Sequence, residues 1–214
     1  MAYDLEEQEQ LDSIKAWWAK YGALVTWTLI IVLAAYAGWT GWNTYQSRQS
    51  AQASVLYEEQ QKSLLAGDNA KVQRAANDIQ DKFSGSAYAG MSALVAAKSA
   101  FEANDVETTK KQLQWVIDHG RGAEYKAIAA VRLAGVLLDV KAYDEALKVL
   151  SGDYPATFAG AIADRRGDVL LAQGKRDDAR AAYKLALEKT EAKDPGRQLI
   201  QIKLDAIGGD APTA

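Results

Sequence analysis

Hydrophobic and polar positions fall into two regimes along this chain. From Tyr21 to Ser47 there is no charged side chain, and the run YGALVTWTLIIVLAAYAGWTGWNTYQS is bounded by Lys20 and Arg48. A helix over residues 21–42 would be about 33 Å long at about 1.5 Å per residue, enough to cross a hydrocarbon core of about 30 Å. Aromatic residues gather at both ends: Trp17, Trp18 and Tyr21 before it, Tyr36, Trp39, Trp42 and Tyr45 towards its exit. Such rings favour the headgroup level, where one part is apolar and the other wet. The pattern predicts a transmembrane helix, with the lipid bilayer as its surroundings. After Arg48, predicted helices alternate with short Gly, Asp or Asn turns.

A cleaved leader competes with an anchor, because Ala51-Gln52-Ala53 has small residues at cleavage spacing. Three features oppose it: the acidic segment before the run (Asp4, Glu6, Glu7, Glu9, Asp12), the length of the run, and the distance of the site from Met1. A surface-lying amphipathic helix is opposed by a run that is apolar all round. The basic residues are sparse on both sides, so the charge rule for orientation is weak here. A short first segment ordinarily stays in the cytoplasm while a long second one is translocated. The expected organisation is a cytoplasmic tail over 1–20, a transmembrane helix over 21–42, a linker over 43–54, a helical domain over 55–207 and a disordered tail over 208–214. In a bacterium the domain would lie in the periplasm. Within the span, Ala34 and Gly38, like Ala37 and Gly41, are small residues four apart on one helix face, a candidate contact face for another transmembrane helix.

Beyond the span the predicted helices run over about 51–66, 70–83, 87–103, 106–118, 124–140, 143–150, 156–173, 176–190 and 196–207. They form pairs with an internal period. Ala134, Tyr143, Ala146 and Leu150 recur 33 positions later as Gly167, Arg176, Ala179 and Tyr183. The first helix of each pair carries a small residue at mid-length (Ala134, Gly167). The second carries a small residue (Ala146, Ala179) and a large one four further on (Leu150, Tyr183). Small side chains let two helices approach; the large one fills the space towards the next pair. This resembles the tetratricopeptide repeat, whose period is about 34 residues. An earlier unit, MSALVAAKSAFEANDVETTKKQLQWV, fits with Ala97 and Leu113 but has Thr109 where alanine is usual. The pair near 55–83 fits loosely. The helix from Arg197 to Ile207 reads as a terminal cap, with Leu199, Ile202, Leu204 and Ile207 as candidate packing positions.

Composition narrows the function. Few breakers, with three prolines, and abundant alanine point to an all-α domain. A formal charge of −3 leaves no basic face for nucleic acid. Cysteine is absent, which excludes a thiol nucleophile and thiolate metal sites. His119 is the one histidine and falls at a predicted helix end. No catalytic, metal or cofactor constellation is legible, so no cofactor is expected.

Carrying the repeat motif across residue by residue, the first helices would line a groove with Met91, Leu94, Lys98 and Phe101 in one unit. Ile128, Val131, Gly135, Leu138 and Asp139 would follow in the next, and Ala161, Asp164, Asp168, Leu171 and Ala172 in the last. Met91, Leu94, Phe101, Ile128, Val131 and Leu138 form its apolar part, a candidate polypeptide-binding surface. Packing against neighbouring helices is an equal reading for Leu94, Val131 and Leu138. The groove is expected to turn acidic towards the C-terminus.

The order of these parts, with the segments EQEQLDSIKAWWAKYG and RRGDVLLAQGKRDDARAAYKLAL, resembles the YfgM family of bacterial inner-membrane proteins over nearly the full chain. The resemblance implies a non-enzymatic, ancillary subunit of the SecYEG translocon. It would act as a membrane-anchored periplasmic chaperone or adaptor for newly translocated polypeptides, in association with PpiD. It also implies a link to stress signalling through the cytoplasmic tail. The alternative is a structural or signalling adaptor with one dedicated partner.

Overall fold

The computed structural model describes residues 2–208, with side chains from Glu9 onward. All regular elements among them are helical: α1 (Ala2–Leu65), α2 (Asn69–Phe83), α3 (Ala87–Glu102), α4 (Val106–His119), α5 (Ala123–Asp139), α6 (Tyr143–Val149), α7 (Ala159–Ala172), α8 (Arg176–Lys189) and α9 (Gly196–Ala206). A single 3₁₀ turn, Ala156–Phe158, leads into α7. The chain divides into two units, residues 1–48 and 49–214.

The first unit is helix. Leu24, Trp27, Ile31 and Leu33 are each more than half exposed, and only 6 % of the most apolar stretch of α1 is buried. A core helix of a water-soluble domain would hide these side chains. α1 is instead long and apolar enough to cross a membrane. Two threonine hydroxyls in the span are satisfied internally: Thr26 donates to the Gly22 carbonyl at 2.8 Å and Thr28 to that of Leu24 at 2.8 Å. That is the arrangement an apolar solvent requires. Residues 43–54, expected as a linker, are helical, and the helix expected to start near residue 51 is the last part of α1.

The second unit is built of helix pairs: the end of α1 with α2, joined through the Gln60 amide, then α3–α4, α5–α6 and α7–α8, closed by α9. The same turn joins the members of each pair. Gly67, Asn104, Lys141 and Gly174 have φ of 71°, 59°, 63° and 77°. The next residue donates its N–H back to the carbonyl of Ser63, Ala100, Leu137 or Leu170, at 2.8–3.0 Å. This closes the first helix of the pair with a left-handed residue and satisfies its free carbonyls. Two of the four positions use glycine, where the left-handed region carries no Cβ penalty. Asp68 and Asp105 then cap the second helices, each accepting from a backbone N–H at 3.0 Å (Lys71 and Thr108). Hydrogen bonds from the Lys71 and Thr108 side chains first, and then these backbone ones, hold both carboxyls below the usual range. The loosely fitting first pair is thus the same structural unit as the others.

The small-and-large pattern is the packing code of this unit. Ala97, Ala134, Gly167, Ala146 and Ala179 are buried, and Leu113, Leu150 and Tyr183 are at most 4 % exposed beside them. Thr109 is buried in the alanine position because its hydroxyl donates to the Asp105 carbonyl, 2.7 Å away in the preceding turn.

Two features differ from expectation. In α9 the packed residues are Ile200, Leu204 and Ile207, whereas Leu199 and Ile202 are each 56 % exposed. The spacing 200, 204, 207 keeps one helix face on α8, and the other two point away from it. The second feature is a seam of amides around α2. Gln60, fully buried, donates to the carbonyls of Val72 (3.2 Å) and Ser92 (3.1 Å). Gln73 donates to the Ala96 carbonyl at 2.8 Å and accepts from Gln112 at 3.3 Å. The first pair therefore docks through hydrogen bonds as well as through Val72, Ala76 and Ala96.

Candidate functional site

The first helices of the last three pairs, α3, α5 and α7, run side by side. Between them opens a cleft of about 360 Å³. Its floor is Ala97, Thr109, Leu113 and Val136; its walls are Leu94, Lys98 and Phe101 from α3, Arg132, Gly135 and Asp139 from α5, and Arg165 from α7. Phe101 is 51 % exposed, a large apolar ring held at the mouth.

Of the apolar residues expected on the groove, Leu94 and Phe101 line this cleft together. Met91, Ile128, Val131 and Leu138 are half-buried and lie outside its lining. Leu94, Val131 and Leu138 also pack against the main core cluster. They are therefore shared between surface and core, and a charge placed on any of them would disturb packing as well as the surface.

The acidic end of the groove has a different character from the one its composition suggests. Asp164 and Asp168 are tied to Lys203 of α9, with Nζ 2.8 Å from each carboxylate. Asp168 also accepts from the Tyr183 hydroxyl at 2.8 Å and from Arg165 at 3.2 Å. The acids are spent holding the cap helix onto α7. The sequence reading missed Lys203, 35 residues from Asp168; its place at the inward edge of an otherwise amphipathic cap was the available signal.

Burial first, and then the Asp168 carboxylate that accepts its proton, push the Tyr183 phenol well above the usual range. The folded state thus holds this proton more tightly than the unfolded chain does. The stabilisation is complete below about pH 10, the unfolded tyrosine value, and is lost as pH rises above it. Tyr183→Phe should therefore lower stability at pH 8 by about 1 kcal/mol yet flatten the further loss above pH 10. Urea midpoints at pH 8 and pH 10.5 check this. Some slope will remain, because burial also raises Tyr57 and Tyr154.

His119, in the last turn of α4, stacks on Trp115 with ring centroids 5.4 Å apart. Among the described residues no group of His, Asp or Glu is arranged to hold a metal. In the first unit Ala34, Ala37, Gly38 and Gly41 are all exposed, and a Cβ at Gly38 or Gly41 would meet nothing within 4 Å.

Residues 15–209 match the tetratricopeptide repeat-like domain family. Curated relatives are similar over nearly the whole of both chains. A protein of Neisseria gonorrhoeae named ancillary SecYEG translocon subunit is 33 % identical over 97 % of this chain and 100 % of its own. Proteins of the same name from Haemophilus influenzae and Escherichia coli K12 are 28 % and 26 % identical, over 97 % and 94 % of this chain and 100 % and 96 % of theirs.

Proposed function

The chain belongs to the tetratricopeptide repeat-like family of ancillary SecYEG translocon subunits, the YfgM family, and from that membership we propose that it is a non-enzymatic, membrane-anchored adaptor at the translocon. α1 anchors it in the inner membrane. The N-terminal segment lies in the cytoplasm and the repeat domain in the periplasm. There the repeat domain holds newly translocated polypeptides as a chaperone, in company with PpiD.

The observation that carries this reading is the cleft with Phe101 at its mouth, presented by a domain of the family whose members bear the translocon name. An apolar ring held half in water by a rigid helix suits transient contact with extended chain and demands no strict sequence. The assignment of the anchor rests on the unburied apolar side chains of α1. The candidate face of Ala34, Gly38, Ala37 and Gly41 is the part of the span offered to translocon helices.

A photo-crosslinking residue at Gly38 has room, since nothing lies within 4 Å of a Cβ there. Introduced in native membranes, it should yield adducts with translocon subunits or PpiD. Protease added to spheroplasts should digest the repeat domain and spare the N-terminal segment. A protected repeat domain would reverse the orientation. Adducts with unrelated membrane proteins alone would remove the translocon from the account.

A further inference from the structure

We propose that the cleft between α3, α5 and α7 takes a polypeptide segment that carries a carboxylate next to an apolar side chain, with Arg132 and Arg165 holding the carboxylate and Phe101 the apolar group. This rests on the polypeptide-binding reading above and adds the chemistry of what is bound.

The charge on the lining is one-sided. Lys98, Arg132 and Arg165 face a single acid, Asp139, in a chain whose formal charge is −3. Lys98 has an exposed partner, Glu102, at 3.6 Å, and both side chains are about 60 % in water, where such a pair is weak. Arg132 makes no hydrogen bond or ion pair among the described residues. Arg165 reaches Asp168 through one terminal nitrogen, but that carboxylate already serves Lys203 and Tyr183. The Nε of Arg165 is buried and without a partner. A buried cationic donor left unpaired is costly, and an acceptor delivered by a ligand would relieve it. The guanidinium lies over Gly135, with Cζ 3.6 Å from where a Cβ would stand, so the wall beside it is backbone.

Arg132 and Arg165 stand at the same position of consecutive repeats, 33 residues apart. Two guanidinium groups on neighbouring parallel helices suit one planar carboxylate, which they bind through paired N–H donors. Leu94, Val136 and Phe101 line the rest of the cleft and accept an apolar side chain adjoining it. The carboxylate can come from an acidic side chain or from a chain terminus; the chemistry at the arginines is the same.

The test uses the full-length chain in detergent micelles and four fluorescent ten-residue probes. All share leucine and phenylalanine positions. They combine an internal Glu or Gln with a free or amidated C-terminus. Probes with a carboxylate should bind about tenfold or more tightly than the fully neutral one. Arg132→Ala, at an exposed position, should erase that difference and leave the circular dichroism spectrum unchanged. Which single-carboxylate probe stays tight identifies the source. Equal affinity of acidic and neutral probes, or an equal loss for both in Arg132→Ala, overturns the proposal. If in that case Phe101→Asp still abolishes all four, the polypeptide-binding cleft stands and only the carboxylate assignment falls. If no probe binds the native chain, the cleft reading itself falls.

Discussion

Phe101→Asp will abolish capture of unfolded polypeptide and leave the thermal midpoint within about 2 °C of the parent, as expected for a surface change worth about 0.5 kcal/mol or less. The ring is 51 % exposed in the free protein, so a bound segment has apolar area left to cover. Losing that burial removes about 1.5 kcal/mol or more. The new carboxylate adds a second penalty, because it stands among Lys98, Arg132 and Arg165 and competes for them. Together these amount to about a hundredfold in affinity. Phe101→Ala, which removes only the ring, should cost about tenfold. Fluorescence anisotropy with a labelled unfolded peptide, beside a melting curve for each variant, checks both. The same change at Leu94 or Leu138 is a poorer test, since both side chains pack on the core and a binding defect there would be confounded by unfolding.

Gly167→Ala should have the largest effect on stability. A Cβ at Gly167 would overlap the Tyr183 ring. That ring is 1 % exposed, its hydroxyl is fixed to Asp168 at 2.8 Å, and the Lys203 ammonium lies 5.7 Å from its centre. It has nowhere to retreat without breaking the link between α7 and α9. Overpacking of this kind costs about 2–3 kcal/mol, or roughly 5–10 °C in a domain of this size. A midpoint unchanged within 2 °C would mean that the ring can move and that the close approach is not structural. Combining Gly167→Ala with Tyr183→Leu should recover part of the loss, because a shorter side chain clears the new methyl group.

Much of the architecture was legible because it is written in local code. The 33-residue recurrence of small and large residues located the pairs, and Gly67, Asn104 and Gly174 marked their turns. What escaped depends on partners distant in sequence. Gln60, Gln73 and Gln112 have the composition of surface residues, yet they form the seam that docks the first pair. Only the arrangement of four helices, α1 to α4, distinguishes them from exposed glutamines. Asp164 and Asp168 looked like a free acidic wall until Lys203 was seen between them. In α9 both Leu199 and Ile200 are apolar, so pattern alone did not determine which face turns inward. The cleft was legible in part: Leu94 and Phe101 were placed on it, and its arginines were passed over. Neither Arg132 nor Arg165 has a signature of its own in the sequence, because a lone cation on a helix has the pattern of any solvated or ion-paired residue.

The central claim is that this domain meets newly translocated chains at its cleft. The most direct measurement places a photo-crosslinking residue at position 101 in native membranes, irradiates during a short pulse of isotope label, and identifies the adducts. The account predicts many different newly exported polypeptides, with labelled adducts fading during the chase and absent when translocation is blocked. A single abundant partner whose adduct persists unchanged through the chase would contradict it and make the protein a dedicated adaptor.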